Sequence, residues 1–215
     1  MNNIDFRNAN LSGAFLNGAI LHKALLGGAK LSGASLIGTN LDKANLRNAN
    51  LDNTNFYSAS LVDTDLYESN LNGASFINAN LSNADLRSTS LKAANLSNAN
   101  LSGADLRRLD LEGLNLIGIN LSNSKLAYAN LNFANLSNAN LNGSDLDHSQ
   151  LIDSNLSGVS LIGSNLNDAQ LNFADLSNAD LSGASLINTD VRNANLSGLK
   201  ALNLQNCPSY LPYPW

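Results

Sequence analysis

Histidine, cysteine and carboxylate side chains are the groups of this chain that could bind a metal ion or act in catalysis. The chain has two histidines, His22 and His148, and one cysteine, Cys207. The histidines are 126 residues apart, so the repeat described below places them in different coils, where they cannot share a metal ion. Cys207 has no neighbouring histidine to activate its thiol, and a single cysteine allows neither an intramolecular disulfide nor a cysteine-based zinc site.

One mixed group surrounds His148. Asp147 precedes it, and Asp168 lies 20 residues further on, a spacing that stacks residues in successive coils. The sequence favours a chance surface cluster. It also lacks a Gly-Lys-Ser phosphate loop and the glycine–aspartate nonapeptide of calcium β-rolls. We therefore expect a protein that is not an enzyme, with no catalytic residues, no cofactor and no metal site.

A five-residue period dominates the chain and must position every side chain. From Phe6 to Leu196, a large apolar residue recurs at every fifth position without an insertion: 35 of the 39 are Leu, and the others are Phe6, Phe56, Phe76 and Val191. We call this the central position. The residue two places earlier (the small position) is usually Ala, Ser or Thr, and the residue just before the centre (the Asn position) is usually Asn, Asp or Ser.

This period excludes an α-helix and a flat strand. Five residues turn a helix by about 140° beyond a full circle, which scatters the leucines around the axis, and in a strand successive leucines alternate between faces. A chain that turns a corner every five residues points all of them inward. We expect Asn and Asp at that corner because they tolerate turn geometry. Ladders with a period of 20, such as Ser124, Ser144 and Ser164, predict four sides per coil.

The repeats resemble those of the pentapeptide-repeat proteins. The motif is clear in Ala79-Asn80-Leu81-Ser82-Asn83 and in Ala84-Asp85-Leu86-Arg87-Ser88. The resemblance implies an all-β fold: a single right-handed quadrilateral parallel β-helix (solenoid) of about ten coils over residues 1–199. Residues 200–215 are then an irregular C-terminal cap or a truncated junction, with Tyr210, Leu211, Tyr213 and Trp215 covering the last coil.

Departures from the repeat are the candidate interaction sites. Phe15, Ile20 and Leu25 replace Asn or Asp near the N-terminal end, and we expect that end to meet a partner because exposed apolar clusters usually mark interfaces. A stripe after the central position is either a plain ladder or a lateral interface; it comprises Ile37, Tyr57, Ile77 and Ile117. A third departure is a basic ladder on another face, which comprises Arg7, Arg47, Arg87, Arg107 and Arg108. The fourth is a swelling of the core by bulky residues at the small position, namely Leu109, Leu114 and Ile119.

Composition narrows the function without naming it. Charged residues make up 13% of the chain and the net charge is −5, which argues against general nucleic-acid binding. No membrane-spanning stretch or signal peptide is visible, so we expect a bacterial cytoplasmic protein, and the resemblance adds cyanobacteria. The hypothesis is a structural or protein-binding scaffold, with self-association through the coil ends or the stripe and no direct contact with nucleic acid or membrane. The alternatives are a DNA-mimicking binder of type II topoisomerases, as in some family members, and ice binding.

Overall fold

A computed structural model describes residues 4–209 of the chain, which fall into two compact units, Met1–Asp105 and Leu106–Trp215. Each unit consists of coils held together by isolated parallel β-bridges. Residues 4–209 contain no helix, and therefore none that could cross a membrane.

Backbone pairing joins residues that are 20 positions apart. In unit 1 the bridges run from Asp5–Leu25 to Asp85–Asp105, and in unit 2 from Asp110–Asn130 to Asp180–Lys200. Every bridged residue occupies the Asn position, so each repeat forms one side and four repeats complete a coil. The predicted all-β class and the four-sided parallel β-helix are confirmed within each unit. One continuous β-helix of about ten coils over residues 1–199 stays a prediction.

The repeat uses all five of its backbone N–H groups, which is why so short a side is stable. Three of them donate to neighbouring coils, one closes the turn, and one is capped by the side chain at the Asn position. In the repeat 55–59 these bonds are Asn55 to Ala34 O (2.9 Å), Phe56 to Ser75 O (2.7 Å), Tyr57 to Asn55 Oδ1 (2.9 Å), Ser58 to Ile77 O (3.0 Å) and Ala59 to Phe56 O (2.9 Å).

The corner lies after the central position, and the expectation that the Asn position forms it is wrong. The two residues that follow each centre form the turn. All 40 residues at the second following position, from Asn8 to Asn203, have a positive φ, and 14 of them are Gly and 12 are Asn. Glycine and asparagine occupy this conformation at the least cost. The Asn position instead accepts a backbone N–H with its side chain, as in an Asx turn.

The core of each unit consists of central and small positions. In unit 1 the buried rings of Phe56 and Phe76 stack with their centroids 4.8 Å apart. In unit 2 Leu109, Leu114 and Ile119 are all buried, so three bulky residues fit where Ala is usual. The ends are less covered, since Leu16 and other centres of the first coil are only partly buried.

Hydroxyl groups at small positions are bonded in two ways. Thr54 Oγ1 donates to the carbonyl of Leu31 in the preceding coil (2.9 Å), whereas Ser154 Oγ donates to the central carbonyl of its own turn (2.7 Å). Three buried serine hydroxyls have no partner among the described residues, namely those of Ser69, Ser124 and Ser149.

The C-terminal end of unit 2 continues the coil pattern beyond the last central leucine. Gly183 N–H donates to Leu202 O (2.8 Å) and Gln205 N–H to Ala184 O (3.0 Å). An apolar cavity of about 220 Å³ lies at this end, lined by central leucines together with Cys207 and Pro208. The proposed cap residues Tyr210, Leu211, Tyr213 and Trp215 lie outside the described residues.

Candidate functional site

The four corners of unit 2 differ in the residues at their second following positions. Two corners hold only glycine and asparagine, and the other two, which are neighbours along each coil, hold every larger residue. The two uniform corners comprise residues 118, 138, 158, 178 and 198, and residues 123, 143, 163, 183 and 203. Corner A comprises Arg108, Tyr128, His148, Asp168 and Asn188, and corner B comprises Gly113, Phe133, Asp153, Phe173 and Asn193.

Three aromatic residues at corners A and B have strained backbones. Tyr128, Phe133 and Phe173 have φ angles of 63°, 60° and 62°, and they are 46%, 59% and 58% exposed. A left-handed conformation costs a non-glycine residue about 1–2 kcal/mol, and a bulky residue in it is uncommon. Because about half of each ring is exposed, only part of the usual gain from burying an aromatic ring offsets this cost.

A groove lies between corners A and B, on what we call the aromatic face of unit 2. It has a volume of about 540 Å³, and Asp168 of corner A and Phe173 of corner B both line it. Ile152 and Gln170 contribute an aliphatic and an amide side chain to the same groove. The arrangement suits an extended protein segment, because an apolar rim can hold a side chain while amides bond to its backbone.

Asp190 and Arg192 line the groove and form an ion pair that hydrogen bonds hold in place. Arg192 Nε donates to Asp190 Oδ1 (2.9 Å), and Asn172 Nδ2 donates to Asp190 Oδ2 (2.7 Å). The hydrogen bonds from Arg192 outweigh desolvation and lower the pKa of Asp190 from 3.8 to about 2. Asp190 is therefore ionised at neutral pH, and the charge of Arg192 compensates its negative charge.

Stacked side chains fix the residues of corner A. The guanidinium carbon of Arg108 lies 4.8 Å from the centre of the Tyr128 ring, and that ring stacks on His148 with centroids 4.8 Å apart. His148 Nδ1 is 2.8 Å from Asp147 Oδ2, and Asn188 Nδ2 donates to Asp168 Oδ1 (3.2 Å). The group that the sequence placed around His148 is therefore brought together.

The apolar residues near the N-terminal end of unit 1 are exposed to different degrees. Phe15 is 86% exposed and Ile20 67% exposed, whereas Leu25 is partly buried and bridges to Asp5 and Asn45. Phe15 and Ile20 occupy the Asn position, where an apolar side chain cannot cap the turn. They lie in the first coil, next to centres that are themselves partly exposed.

The isoleucine stripe is less exposed than this end. Ile37 and Tyr57 in unit 1 are 38% and 44% exposed, and Ile77 is partly buried. Ile117 is 39% exposed and belongs to unit 2. A lateral interface at this stripe therefore stays a prediction, with moderate exposure in each unit.

Acidic side chains compensate the positive charges of the arginine ladder in unit 1. Arg47 lies 4.3 Å and Arg87 5.6 Å from the centre of the Tyr67 ring, and acidic side chains pair with both arginines. The basic side chain is the leading cause of a lowered pKa for Asp5, Asp85 and Asp180, to about 2 for Asp5 and Asp180. Ion pairs of the described residues include Asp5–Arg7, Asp65–Arg47, Asp85–Arg87, Asp180–Lys200 and Asp190–Arg192.

The aromatic face was the feature that sequence reasoning missed. Attention to the Asn position directed the search to Phe15 and Ile20, while the turn lies two residues later. Reading the second following position in steps of 20 separates corners A and B from the uniform corners without any coordinates.

Protein-family models match the repeat of this chain from residue 1 to residue 198. Two family models match: "Pentapeptide repeat region" over residues 1–76 and 39–116, and "Pentapeptide repeats (8 copies)" over residues 104–143, 129–168 and 164–198. No curated protein matches the chain in sequence.

Two solved structures are similar over most of the chain. HetL, a pentapeptide repeat protein involved in heterocyst differentiation regulation from the cyanobacterium Nostoc sp. strain PCC 7120, is 32% identical, with 94% of this chain and 91% of HetL covered and a TM-score of 0.57. Full-length QnrB1, a plasmid-mediated fluoroquinolone resistance protein, is 21% identical, with 93% and 90% covered and a TM-score of 0.52. At that identity the likeness to QnrB1 concerns the fold alone.

Proposed function

This chain belongs to the pentapeptide-repeat family, and we propose that it is a non-catalytic scaffold that binds other proteins. Its fold is the right-handed β-helix of that family. The observation that carries the proposal is that every residue larger than Asn at the second following position of unit 2 lies at corner A or corner B. Because the backbone needs the same left-handed turn at all four corners, the choice of residue here reflects what the side chains contact outside the coil.

We place the main protein-binding surface on the aromatic face. Phe173 lines the groove with an exposed ring. Phe133, also at corner B, and Tyr128, at corner A, supply the other exposed rings of this face. Tyrosine and phenylalanine are enriched at protein interfaces, where a few aromatic side chains carry much of the binding free energy. The partner segment is an extended chain with apolar side chains.

A second surface serves self-association at the N-terminal end of unit 1. Phe15 and Ile20 are the most exposed large hydrophobic residues of the described chain, and they border the first coil. Exposed apolar residues beside β-bridged backbone favour association with another chain.

HetL, which is 32% identical in sequence, is involved in the regulation of heterocyst differentiation. This similarity favours a regulatory role for the interaction over a purely architectural one. Topoisomerase binding by DNA mimicry is less well supported, since a DNA mimic needs uncompensated negative charge and several carboxylates here pair with Arg or Lys. A DNA gyrase supercoiling assay with a quinolone tests that alternative, and protection of the enzyme at micromolar protein would establish it.

The test of the main proposal compares three baits in affinity capture from a native lysate: the unchanged chain, Phe133→Asn/Phe173→Asn, and Ile162→Ser. Asn is a common residue at the second following position and Ser is common at the first, so both variants suit the backbone. A bound protein should be lost from the double variant and kept by Ile162→Ser, whose side chain is 44% exposed elsewhere on unit 2. Equal recovery on all three baits would refute binding at the aromatic face.

Self-association is tested by light scattering after size-exclusion chromatography. The variant Phe15→Asn/Ile20→Asn restores the usual residue of the Asn position and should convert oligomers to monomers with unchanged circular dichroism. A wild-type chain that is monomeric at about 100 μM would exclude this surface as a self-association site.

A further inference from the structure

We propose that Asp147, His148 and Asp168 form a binding site for a divalent transition metal ion of the zinc type. One possible ligand atom from each residue lies within 4.8 Å of the others. The group combines one imidazole nitrogen with two carboxylate oxygens, which are accepted zinc ligands. The sequence alone indicates a chance cluster, but it cannot show the contacts that hold these side chains together.

The coil geometry brings the three residues to one corner. Asp147 and His148 are the two turn residues of one repeat, and Asp168 is the equivalent of His148 in the next coil. His148 N–H donates to Asn167 O (2.9 Å), which fixes the vertical offset of the two turns. Both His148 and Asp168 have the positive φ of the corner, at 55° and 56°. The spacing of the ligands is therefore set by the backbone ladder.

Neighbouring side chains orient each ligand. The Tyr128 ring stacks on His148 at an angle of 24°, and Asp147 Oδ2 lies 2.8 Å from His148 Nδ1. Asn188 Nδ2 donates to Asp168 Oδ1 (3.2 Å), which leaves the other carboxylate oxygen for an ion. Tyr128 and Asn188 lie outside the ligand set, and such outer contacts restrict ligand orientation in known metal sites. The side chains around this site thus reduce the conformational entropy that the ligands would lose when an ion binds.

The dimensions fit an ion after small side-chain rotations. In tetrahedral geometry, bonds of about 2.0–2.2 Å to nitrogen and oxygen place two ligands of one zinc ion about 3.4 Å apart. The ligand atoms of the three residues lie within 4.8 Å of one another, and rotation of the two partly exposed carboxylates can bring them to this distance. Three protein ligands leave a fourth position for water. Mg²⁺ fits less well because it prefers an octahedral set of oxygens.

An ion at this site would join two successive coils of unit 2 through their side chains. It would therefore stabilise the folded chain in proportion to the occupancy of the site. This inference does not depend on the proposed protein binding, because metal binding is measured on the isolated chain.

The test uses the untagged chain, Zn²⁺ and isothermal titration calorimetry, followed by thermal unfolding. The structure predicts one Zn²⁺ per chain, and a rise in Tm of about 5–10 °C at 100 times the dissociation constant. His148→Ala should weaken binding at least tenfold and abolish the rise. Ala93 has a φ of 59° at an equivalent position, so alanine is compatible with this turn.

Two controls make the result specific. His22→Ala removes the other histidine and should leave the affinity for Zn²⁺ unchanged, whereas Asp168→Asn should weaken it at least tenfold while keeping a residue that is common at the second following position. No Zn²⁺ binding at about 1 mM would overturn the proposal. Equal affinity of wild type and His148→Ala, or an equal response to Mg²⁺, would also overturn it.

Discussion

Two serines at equivalent small positions should respond oppositely to the same substitution. Ser149 and Ser154 lie on successive sides of unit 2 and are 0% and 1% exposed. Ser149 Oγ has no hydrogen-bond partner among the described residues, whereas Ser154 Oγ donates to Leu151 O at 2.7 Å. We predict that Ser149→Ala stabilises the chain and that Ser154→Ala destabilises it.

The magnitudes follow from the hydrogen bonds. An unsatisfied buried hydroxyl costs about 1–3 kcal/mol, so its removal at Ser149 should raise the free energy of unfolding by about 1 kcal/mol. Removing the hydroxyl of Ser154 leaves Leu151 O bonded to the N–H of residue 154 (3.2 Å), so only the net value of one hydrogen bond, about 1 kcal/mol, is lost. The two variants should therefore differ by about 2 kcal/mol.

Urea unfolding followed by far-ultraviolet circular dichroism measures this difference, and thermal unfolding should separate the two midpoints by roughly 4–8 °C. Alanine is the usual residue at the small position, so neither variant introduces a backbone conflict. Equal effects of the two substitutions, or destabilisation by Ser149→Ala, would refute the hydrogen-bond assignment. Ser69→Ala in unit 1 provides a second unpaired hydroxyl and should behave like Ser149→Ala.

Three further predictions concern the turns and one ion pair. Phe173→Asn should raise the free energy of unfolding by about 1 kcal/mol, because it relieves a left-handed phenylalanine; a fall in the urea midpoint would contradict this. Gly73→Ala should destabilise the chain more than Gly38→Ala, since a Cβ at Gly73 would clash with Asn53 Oδ1 of the preceding coil and a Cβ at Gly38 meets nothing within 4 Å; equal midpoints would contradict this. Arg192→Gln should cost about 0.5 kcal/mol at pH 7. The difference from wild type should shrink as the pH falls from 4 through 2, because the pKa of Asp190 is lowered to about 2 in the folded chain; a difference as large at pH 2 as at pH 7 would contradict this.

The sequence predicted the coil because its period allows one solution. Leucines every five residues must all face inward, and the period-20 ladders predict four sides, which the bridges confirm. The corner was misplaced because Asn is frequent both before the centre and two residues after it. Side-chain chemistry that suits a turn also suits an Asx cap, so only backbone angles separate the two roles.

The surface was harder to predict, since exposure depends on which residues stack beside each other. Ile77 and Ile37 occupy the same position one coil apart from Tyr57, yet Ile77 is partly buried and Ile37 is 38% exposed. The charge of the arginine ladder was likewise misleading in sequence, because its acidic partners lie two or 18 residues away. Neighbours at those separations become visible only when the coil is folded.

The asymmetry among the four corners of unit 2 connects stability with function. All corners impose the same left-handed φ, so glycine or asparagine is the least costly residue at each of them. Corners A and B carry Tyr128, Phe133 and Phe173 there instead, at a combined cost of about 3 kcal/mol or more. That cost is large against the 5–15 kcal/mol by which proteins are normally stable. Tyr128 offsets part of it by stacking on His148 and Arg108, whereas Phe133 and Phe173 are more than half exposed. Binding a partner on the aromatic face would bury those rings and offset the cost, which is why the departures from the repeat, and not the repeat itself, locate the function.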